Sequence, residues 1–401
     1  MMTKLFKPEQ GGVFPQAREA VVNWAKARLP LIGESKPLVR VLMYPAAEQN
    51  PYLVVTKKSL EDLGARVTML HDLESSELSL LALKHDVVHL FNIKEYQSPF
   101  NNPNLVSQVN HLARRLGHLW TARKLGLKVV WTLYNDPKGD FGSEWLEKLG
   151  RRWMFDQADR IICSSMATQK QLRERYPDLP ERKVVHIAHH NFGDYYPQQV
   201  SRRQALSHLG IEPRGRVFIC FGGIHPYKGL TDIIPLFGRH PLKDHTLIIA
   251  GAPSNKHYAS TIEGLCARYE NVHPFIRYIA RDEVQYYLQA ADVFVMPYKD
   301  VINSGSMMLA LRFNKPIIAP RVGSIPEVLT PHCSLLLEQP GATELKNVLV
   351  KSLELDLDKA ISEARRISEA YSAERLARRL MNTYLDLFPR RPKIPEEAEI
   401  L

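Results

Sequence analysis

Short apolar runs alternate along this chain with longer amphipathic stretches, from about residue 39 to residue 337. The runs 39–43, 66–69, 87–90, 128–133, 160–163 and 184–187 are mostly apolar and rich in β-branched residues. Runs of that length without strict polar alternation read as parallel strands covered on both faces. Five more, at 217–221, 246–250, 293–296, 317–319 and 334–337, form a second set. The intervening segments suit crossover helices, so the pattern predicts an α/β chain of two doubly wound units. The expected divisions are an N-terminal extension over 1–37, a first domain over 38–200, a second over 201–372, and a final helix and tail over 373–401. The polar stretch 194–215, with two prolines, reads as a linker.

Two segments of the second set carry the chemistry. In the first, Gly222 and Gly223 follow a strand, and Lys228 and Gly229 precede a helical stretch. Glycines there allow a sharp turn and close approach of a ligand, and Lys228 can meet a phosphate as a point charge. In the second, the strand 293–296 leads through Tyr298 and Lys299 to Asn303, Ser304, Gly305 and Ser306, and then to the helix-forming run 307–312. Serine and asparagine are helix N-caps, and a helix N-terminus at the C-terminal edge of a parallel sheet is an anion site. The spacing of about 70 residues suits two crossovers of one domain whose crevice lies outside its strand ends. A nucleoside diphosphate fits that description.

These segments together, Gly-Gly-Ile-His-Pro-Tyr-Lys-Gly at 222–229 and the Asn-Ser-Gly-Ser turn followed by Lys-Pro-Ile-Ile-Ala-Pro at 315–320, resemble the C-terminal half of GT-B glycosyltransferases. Within that superfamily (glycosyltransferase family 4-like), the chain is most similar to the xanthan-type exopolysaccharide β-mannosyltransferases. The stretches 50–53, 85–90, 131–135 and 189–196 have counterparts in the same order, so the likeness spans roughly residues 38–325. The resemblance implies two Rossmann-like domains facing a cleft, the first binding acceptor and the second binding nucleotide sugar, with the final helix crossing back onto the first. It implies transfer of a hexose, mannose favoured, from GDP-mannose to a lipid-linked or polysaccharide acceptor, inverting and without a metal or other cofactor. The donor side would be formed by Gly222, Gly223, His225, Lys228, Tyr298, Lys299, Asn303, Ser304, Gly305, Ser306 and Glu327.

Departures from the family pattern are specific. Many retaining GT-B enzymes hold the donor with two glutamates eight residues apart, where this chain has Val301 and Leu309. His225 replaces an arginine of the exopolysaccharide enzymes, and Tyr134 replaces a histidine. Inversion requires a general base near the acceptor hydroxyl. Asp136 is the first candidate, in a turn-rich loop that also holds Asp140 and Glu144, and His189 is the second. A UDP-sugar-dependent retaining hexosyltransferase and a non-catalytic binding protein on the same fold are the alternatives.

Composition changes the picture in one respect. The 401 residues carry 53 Lys and Arg against 43 Asp and Glu, a net charge of +10, which points to a polyanionic partner. No nucleic-acid motif accompanies that charge, which leaves an anionic membrane surface. The segments 14–29 and 111–124, and the cluster at Arg151–Trp153, mix basic and apolar residues as interfacial helices do. There is no apolar run of about 18 residues and no visible secretory signal, so a cytoplasmic protein, peripheral on the inner face of the membrane, is expected. Cys163, Cys220, Cys266 and Cys333 match no zinc spacing and read as buried thiols. Asp356 and Asp358 have the Asp-x-Asp spacing of a metal pair but sit in a surface-like segment.

Overall fold

In the computed structural model the described residues are 37–47, 49–71, 77–91, 105–133, 144–299, 304–339 and 341–395, of which 77–79, 105–108, 111–112, 115 and 144–148 are described as backbone only. The extension over 1–36, with its expected helix at 14–29, lies outside them.

The apolar runs form two six-stranded parallel sheets. The first holds β1 (Val39–Tyr44), β2 (Ala65–Met69), β3 (Val87–Phe91), β4 (Lys128–Leu133), β5 (Arg160–Cys163) and β6 (Val184–His186), in the order β2-β1-β3-β4-β5-β6. The second holds β7 (Val217–Phe221), β8 (Thr246–Ala250), β9 (Val272–Phe275), β10 (Val293–Val295), β11 (Ile317–Pro320) and β12 (Ser334–Leu337), in the order β12-β11-β10-β7-β8-β9. Each order reverses direction once, between β1 and β3 and between β7 and β10. Loops diverge at such a reversal and open a crevice at the strand C-termini.

Each sheet is buried on both faces, which is why its strands read as nearly continuous apolar runs. Along β7, Val217 and Ile219 pack into one core while Phe218 and Cys220 pack into the other. Along β1, Leu42 and Tyr44 face one side and Val39, Val41 and Met43 the other. The Ala373–Leu385 helix closes that second side with Leu376, Leu380, Met381 and Tyr384. Its apolar residues recur at helical spacing, so one stripe covers the first sheet.

The chain passes from the first sheet to the second after β6 and returns near Tyr371. The two passages are tied together, because the Asn191 amide donates to the Ser368 carbonyl at 2.7 Å and to its hydroxyl at 2.9 Å. The backbone N–H of Asn191 also donates to the Tyr371 carbonyl at 2.9 Å.

Three differences from the sequence reading have local causes. The strand β9, at the sheet edge, is absent from the pattern analysis because Val-His-Pro-Phe contains a proline, which an edge strand tolerates. The expected linker contains the Arg202–Leu209 helix, opened by a capping box between Ser201 and Gln204. Arg151, read as part of a basic surface cluster, is buried at 3% exposure. All four cysteines are buried and unpaired, and among the described residues no helix is long and apolar enough to cross a membrane.

Candidate functional site

The crevice of the second sheet is built by the loops after β7 and β10. Gly222 follows β7 with φ +106°, in the region that favours glycine. A Cβ placed on it would lie 3.1 Å from the Ser306 hydroxyl and 3.2 Å from the Lys228 ammonium. Those three groups therefore enclose one small space. Gly229 has φ +66°, and a Cβ there would stand 2.0 Å from the Pro297 carbonyl oxygen, so the two loops touch backbone to backbone. The Lys299 N–H donating to the Tyr227 carbonyl at 2.8 Å joins them again.

Ser304, extended at φ −133°, caps the Gly305–Arg312 helix and accepts from the Met307 N–H at 3.2 Å. The first helical N–H groups are left pointing outward from the sheet edge, where an anion is stabilised. Lys228 is 8% exposed, and its ammonium lies 4.9 Å from the centre of the Tyr298 ring. Among the described residues no carboxylate pairs with it. Burial lowers its pKa, with smaller opposing contributions from Tyr227 and Cys220. Burial also raises the Tyr298 hydroxyl, and the Ser306 hydroxyl pulls partly against that. A buried cation without a counter-charge is costly unless an anion arrives to complete it.

Not every sequence candidate lies in this space. Gly223 and His225 neighbour it, the His225 ring standing 5.6 Å from that of Tyr227 in a stacked arrangement. Lys299 turns to Asp232, 3.2 Å away. Asp356 caps the Leu357–Ala370 helix by accepting from the Lys359 N–H at 3.2 Å. Asn303, Tyr134, Asp136 and Asp140 lie outside the described residues, as does the side chain of Glu144.

Glu327 reaches across to the first sheet. Its carboxylate accepts from the N–H of Met166 at 2.7 Å and of Ala167 at 2.6 Å. These donors open the Met166–Arg175 helix, which follows β5 and is capped by Ser165. A carboxylate at a helix N-terminus meets both free donors and the positive dipole end.

Beside that contact a cavity of about 90 Å³ lies between the two sheets' loops. Ser164, His186 and His189 line it from one side and Ser304, Ser324 and Glu327 from the other. The His189 Nδ1–H donates to the His190 carbonyl at 2.7 Å, placing the ring's lone pair on Nε2. Burial lowers its pKa to about 4, so the imidazole is neutral at pH 7. His190 is held differently. Its Nδ1 accepts from the Phe192 N–H at 3.1 Å, so its Nε2–H points to the Thr56 hydroxyl at 3.0 Å. That ring is a structural bracket, 4% exposed. Sequence reasoning missed Ser164, His186 and Ser324, because three separate chain segments bring them to one cavity.

Comparison with known proteins fits this geometry. Residues 215–354 match the family Glycosyl transferases group 1. Over 301 residues the chain is 28% identical to a GDP-mannose:glycolipid 4-beta-D-mannosyltransferase of Xanthomonas campestris pv. campestris, covering 74% of this chain and 78% of that protein. It is 24% identical over 281 residues to the phosphatidylinositol N-acetylglucosaminyltransferase GPI3 subunit of Saccharomyces cerevisiae, covering 66% of this chain and 59% of that one. Among solved structures, sucrose-phosphate synthase of Thermosynechococcus elongatus superposes with a TM-score of 0.67 at 17% identity, covering 88% of this chain and 100% of that one. Anabaena Alr3699/HepE, solved in complex with UDP, superposes at 0.66 and 13% identity, covering 86% and 99%.

Proposed function

For this chain, a glycosyltransferase of the GT-B fold that carries a group 1 glycosyltransferase domain, we propose that the reaction is transfer of mannose from GDP-mannose to a lipid-linked glycan, with inversion. The buried Lys228 ammonium, uncompensated by any described carboxylate, carries the nucleotide-diphosphate reading. The mannosyltransferase relative supports the choice of donor sugar and of a glycolipid acceptor.

In this mechanism the donor's diphosphate enters the space bounded by Gly222, Lys228 and Ser306 and meets the first N–H groups of the Gly305–Arg312 helix. Gly223, His225, Tyr298 and Asn303 complete the donor side. The acceptor hydroxyl attacks the anomeric carbon of mannose as the bond to the diphosphate oxygen breaks. Lys228 and the helix N-terminus stabilise the charge that develops on that oxygen, a role for which this reading requires no metal. The hydroxyl proton passes to a base on the first-sheet side, His189 Nε2 or the Asp136 carboxylate. With its pKa lowered by burial to about 4, the His189 imidazole is a weak base before the donor binds, and an incoming diphosphate raises it by favouring the charged form. Leu309, where retaining relatives of this fold place a glutamate, is 6% exposed within the core. That favours inversion over a glutamate-held retaining site. The reading places the protein in the cytoplasm, at the inner face of the membrane where a lipid-linked acceptor is reached.

Calorimetric titration with GDP, UDP, ADP and dTDP tests the donor, and the anomer formed from GDP-mannose and a lipid-linked acceptor tests the stereochemistry. Selective GDP binding and a β-linked product are expected. UDP selectivity would overturn mannose, an α-linked product would overturn inversion, and failure to bind any nucleotide would overturn the assigned donor site.

A further inference from the structure

The segment that carries the chain from the first sheet to the second contains a bulky residue in a backbone region that bulky residues avoid. Phe192 has φ +67°. A side chain with a Cβ is disfavoured there, whereas glycine, which follows at Gly193 with φ +48°, adopts it freely. The surroundings impose the conformation. The Phe192 N–H donates to His190 Nδ1 at 3.1 Å, and its carbonyl accepts from the Tyr195 N–H at 3.1 Å. The Asn191 side-chain oxygen accepts from the Gly193 N–H at 3.0 Å. Strain held this firmly points to a side chain whose placement matters.

That placement is specific. Ile187 and Ala188, just upstream, belong to a core of the first sheet, but the Phe192 ring is buried in a core of the second. The tip of the ring lies 3.6 Å from where a Cβ on Gly305 would stand, at the first residue of the Gly305–Arg312 helix. The same ring meets the His189 imidazole edge to face, with centroids 5.2 Å apart and planes at 68°. The Tyr52 ring at 4.4 Å and the His190 ring at 5.4 Å border His189 on other sides, and Glu327 and His186 share its cavity. The far end of the helix is held by the same segment. Arg312 Nε donates to the Gly193 carbonyl, and a terminal nitrogen donates to the Asp194 carboxylate at 2.8 Å. Residues 192–194 thus touch both ends of an eight-residue helix.

We propose that Phe192 is a positioning residue: its ring sets the separation between the donor end of the Gly305–Arg312 helix and the His189 imidazole, and so aligns the two halves of the site for transfer. The proposal rests on the reading of that helix as the diphosphate site. It separates alignment from binding, because the diphosphate contacts assigned to Lys228 and Ser306 do not use the ring.

Phe192→Gly tests it, since glycine keeps the left-handed backbone and removes the ring. Phe192→Leu is the second variant, filling the core without reaching Gly305, and it decides the matter if the glycine variant does not fold. Ile211→Ala, a truncation in the same core but not at the cavity, controls for lost packing. In both Phe192 variants GDP affinity by calorimetry should match the parent, while kcat for transfer from GDP-mannose to a lipid-linked acceptor falls about 100-fold, the scale of a misplacement of about 1 Å. Ile211→Ala should melt lower and keep the parent kcat. The His189 imidazole proton resonances, identified by their loss in His189→Gln and read without donor, should move in Phe192→Gly. Their pKa should rise above about 4 as water reaches the side that the ring covered. A parental kcat in the Phe192 variants, unmoved His189 resonances, or an equal loss of kcat in Ile211→Ala would each overturn the proposal. So would GDP affinity lost together with kcat, because the ring would then support binding rather than alignment. Failure of the parent itself to bind GDP overturns the donor-site reading instead, and the His189 resonances, read without donor, still decide whether the ring holds the imidazole.

Discussion

The Glu327 carboxylate accepts hydrogen bonds from the backbone N–H of Met166 at 2.7 Å and of Ala167 at 2.6 Å, across 160 residues of sequence. One half of the molecule thereby caps a helix of the other, at the wall of the cavity that His189 and Ser304 share. Glu327→Gln removes the negative charge that meets the helix N-terminus, at a cost of about 1 kcal/mol to that contact. The expected outcome is a larger radius of gyration by small-angle scattering without nucleotide, and a KM raised more than kcat is lowered. An unchanged radius and KM would show that the contact does not hold the halves together.

Lys228 has opposite effects on stability and on binding. Burial lowers its pKa, so the folded state holds its proton less well than the unfolded chain and the charged form opposes folding over the whole neutral range. Lys228→Met should raise the melting temperature of the unliganded protein. The same change should weaken nucleoside diphosphate binding by about 10- to 100-fold, the scale of one hydrogen-bonded charge. A variant that melts lower and binds as before would remove this lysine from the donor site.

Two buried histidines, His89 and His190, set the acid limit. His89, with no exposed surface, lies 2.5 Å from the Tyr384 hydroxyl and 2.7 Å from that of Thr132, and burial lowers its pKa to about 3. Burial likewise lowers His190 to about 3. Below the ordinary pKa of about 6.5 the unfolded chain takes up protons that these rings refuse. Their contribution is therefore full above that pH and is lost as pH falls toward about 3. Each adds a slope of about 1.4 kcal/mol per pH unit between those limits. Urea denaturation at pH 7, 6 and 5 should show it, and Tyr384→Phe should lower stability at all three by about 1 kcal/mol.

Asp86 fastens the chain's C-terminal end. It is 3% exposed, and although burial would raise its carboxyl, hydrogen bonds from Arg40 and Arg391 hold it at about 2. Arg40 reaches it at 3.0 Å and Arg391 at 3.1 Å. Asp86→Ala leaves two guanidinium groups without their acceptor and should cost about 3 kcal/mol, read from denaturant midpoints. Loss of under 1 kcal/mol would mean that water replaces the carboxylate.

Much of the crevice after β7 and β10 was legible in the sequence. Gly222, Lys228 and Ser304 lie in the loops that follow β7 and β10, and what each does locally follows from local requirements: positive φ, a point charge, an N-cap. Glu327 was legible as a first-turn glutamate but not as the cap of a foreign helix, because its partners are backbone groups that no side-chain pattern reveals. Lys299 stood beside Lys228 as a second donor-side lysine in the sequence, but Asp232, from another crossover, pairs with it at 3.2 Å.

The sequence by itself determined the α/β class, eleven of the twelve strands and the paired loop motifs of the second sheet. It could do so because strands buried on both faces need uninterrupted apolar runs, and because turns and caps restrict residue type locally. Tertiary structure alone decided which way each sheet reverses, which of Lys228 and Lys299 has no carboxylate partner among the described residues, and that the Glu327 carboxylate joins the halves. Those outcomes depend on groups tens to hundreds of residues apart, whose pairing is selected by burial and charge in three dimensions and leaves no period in the chain.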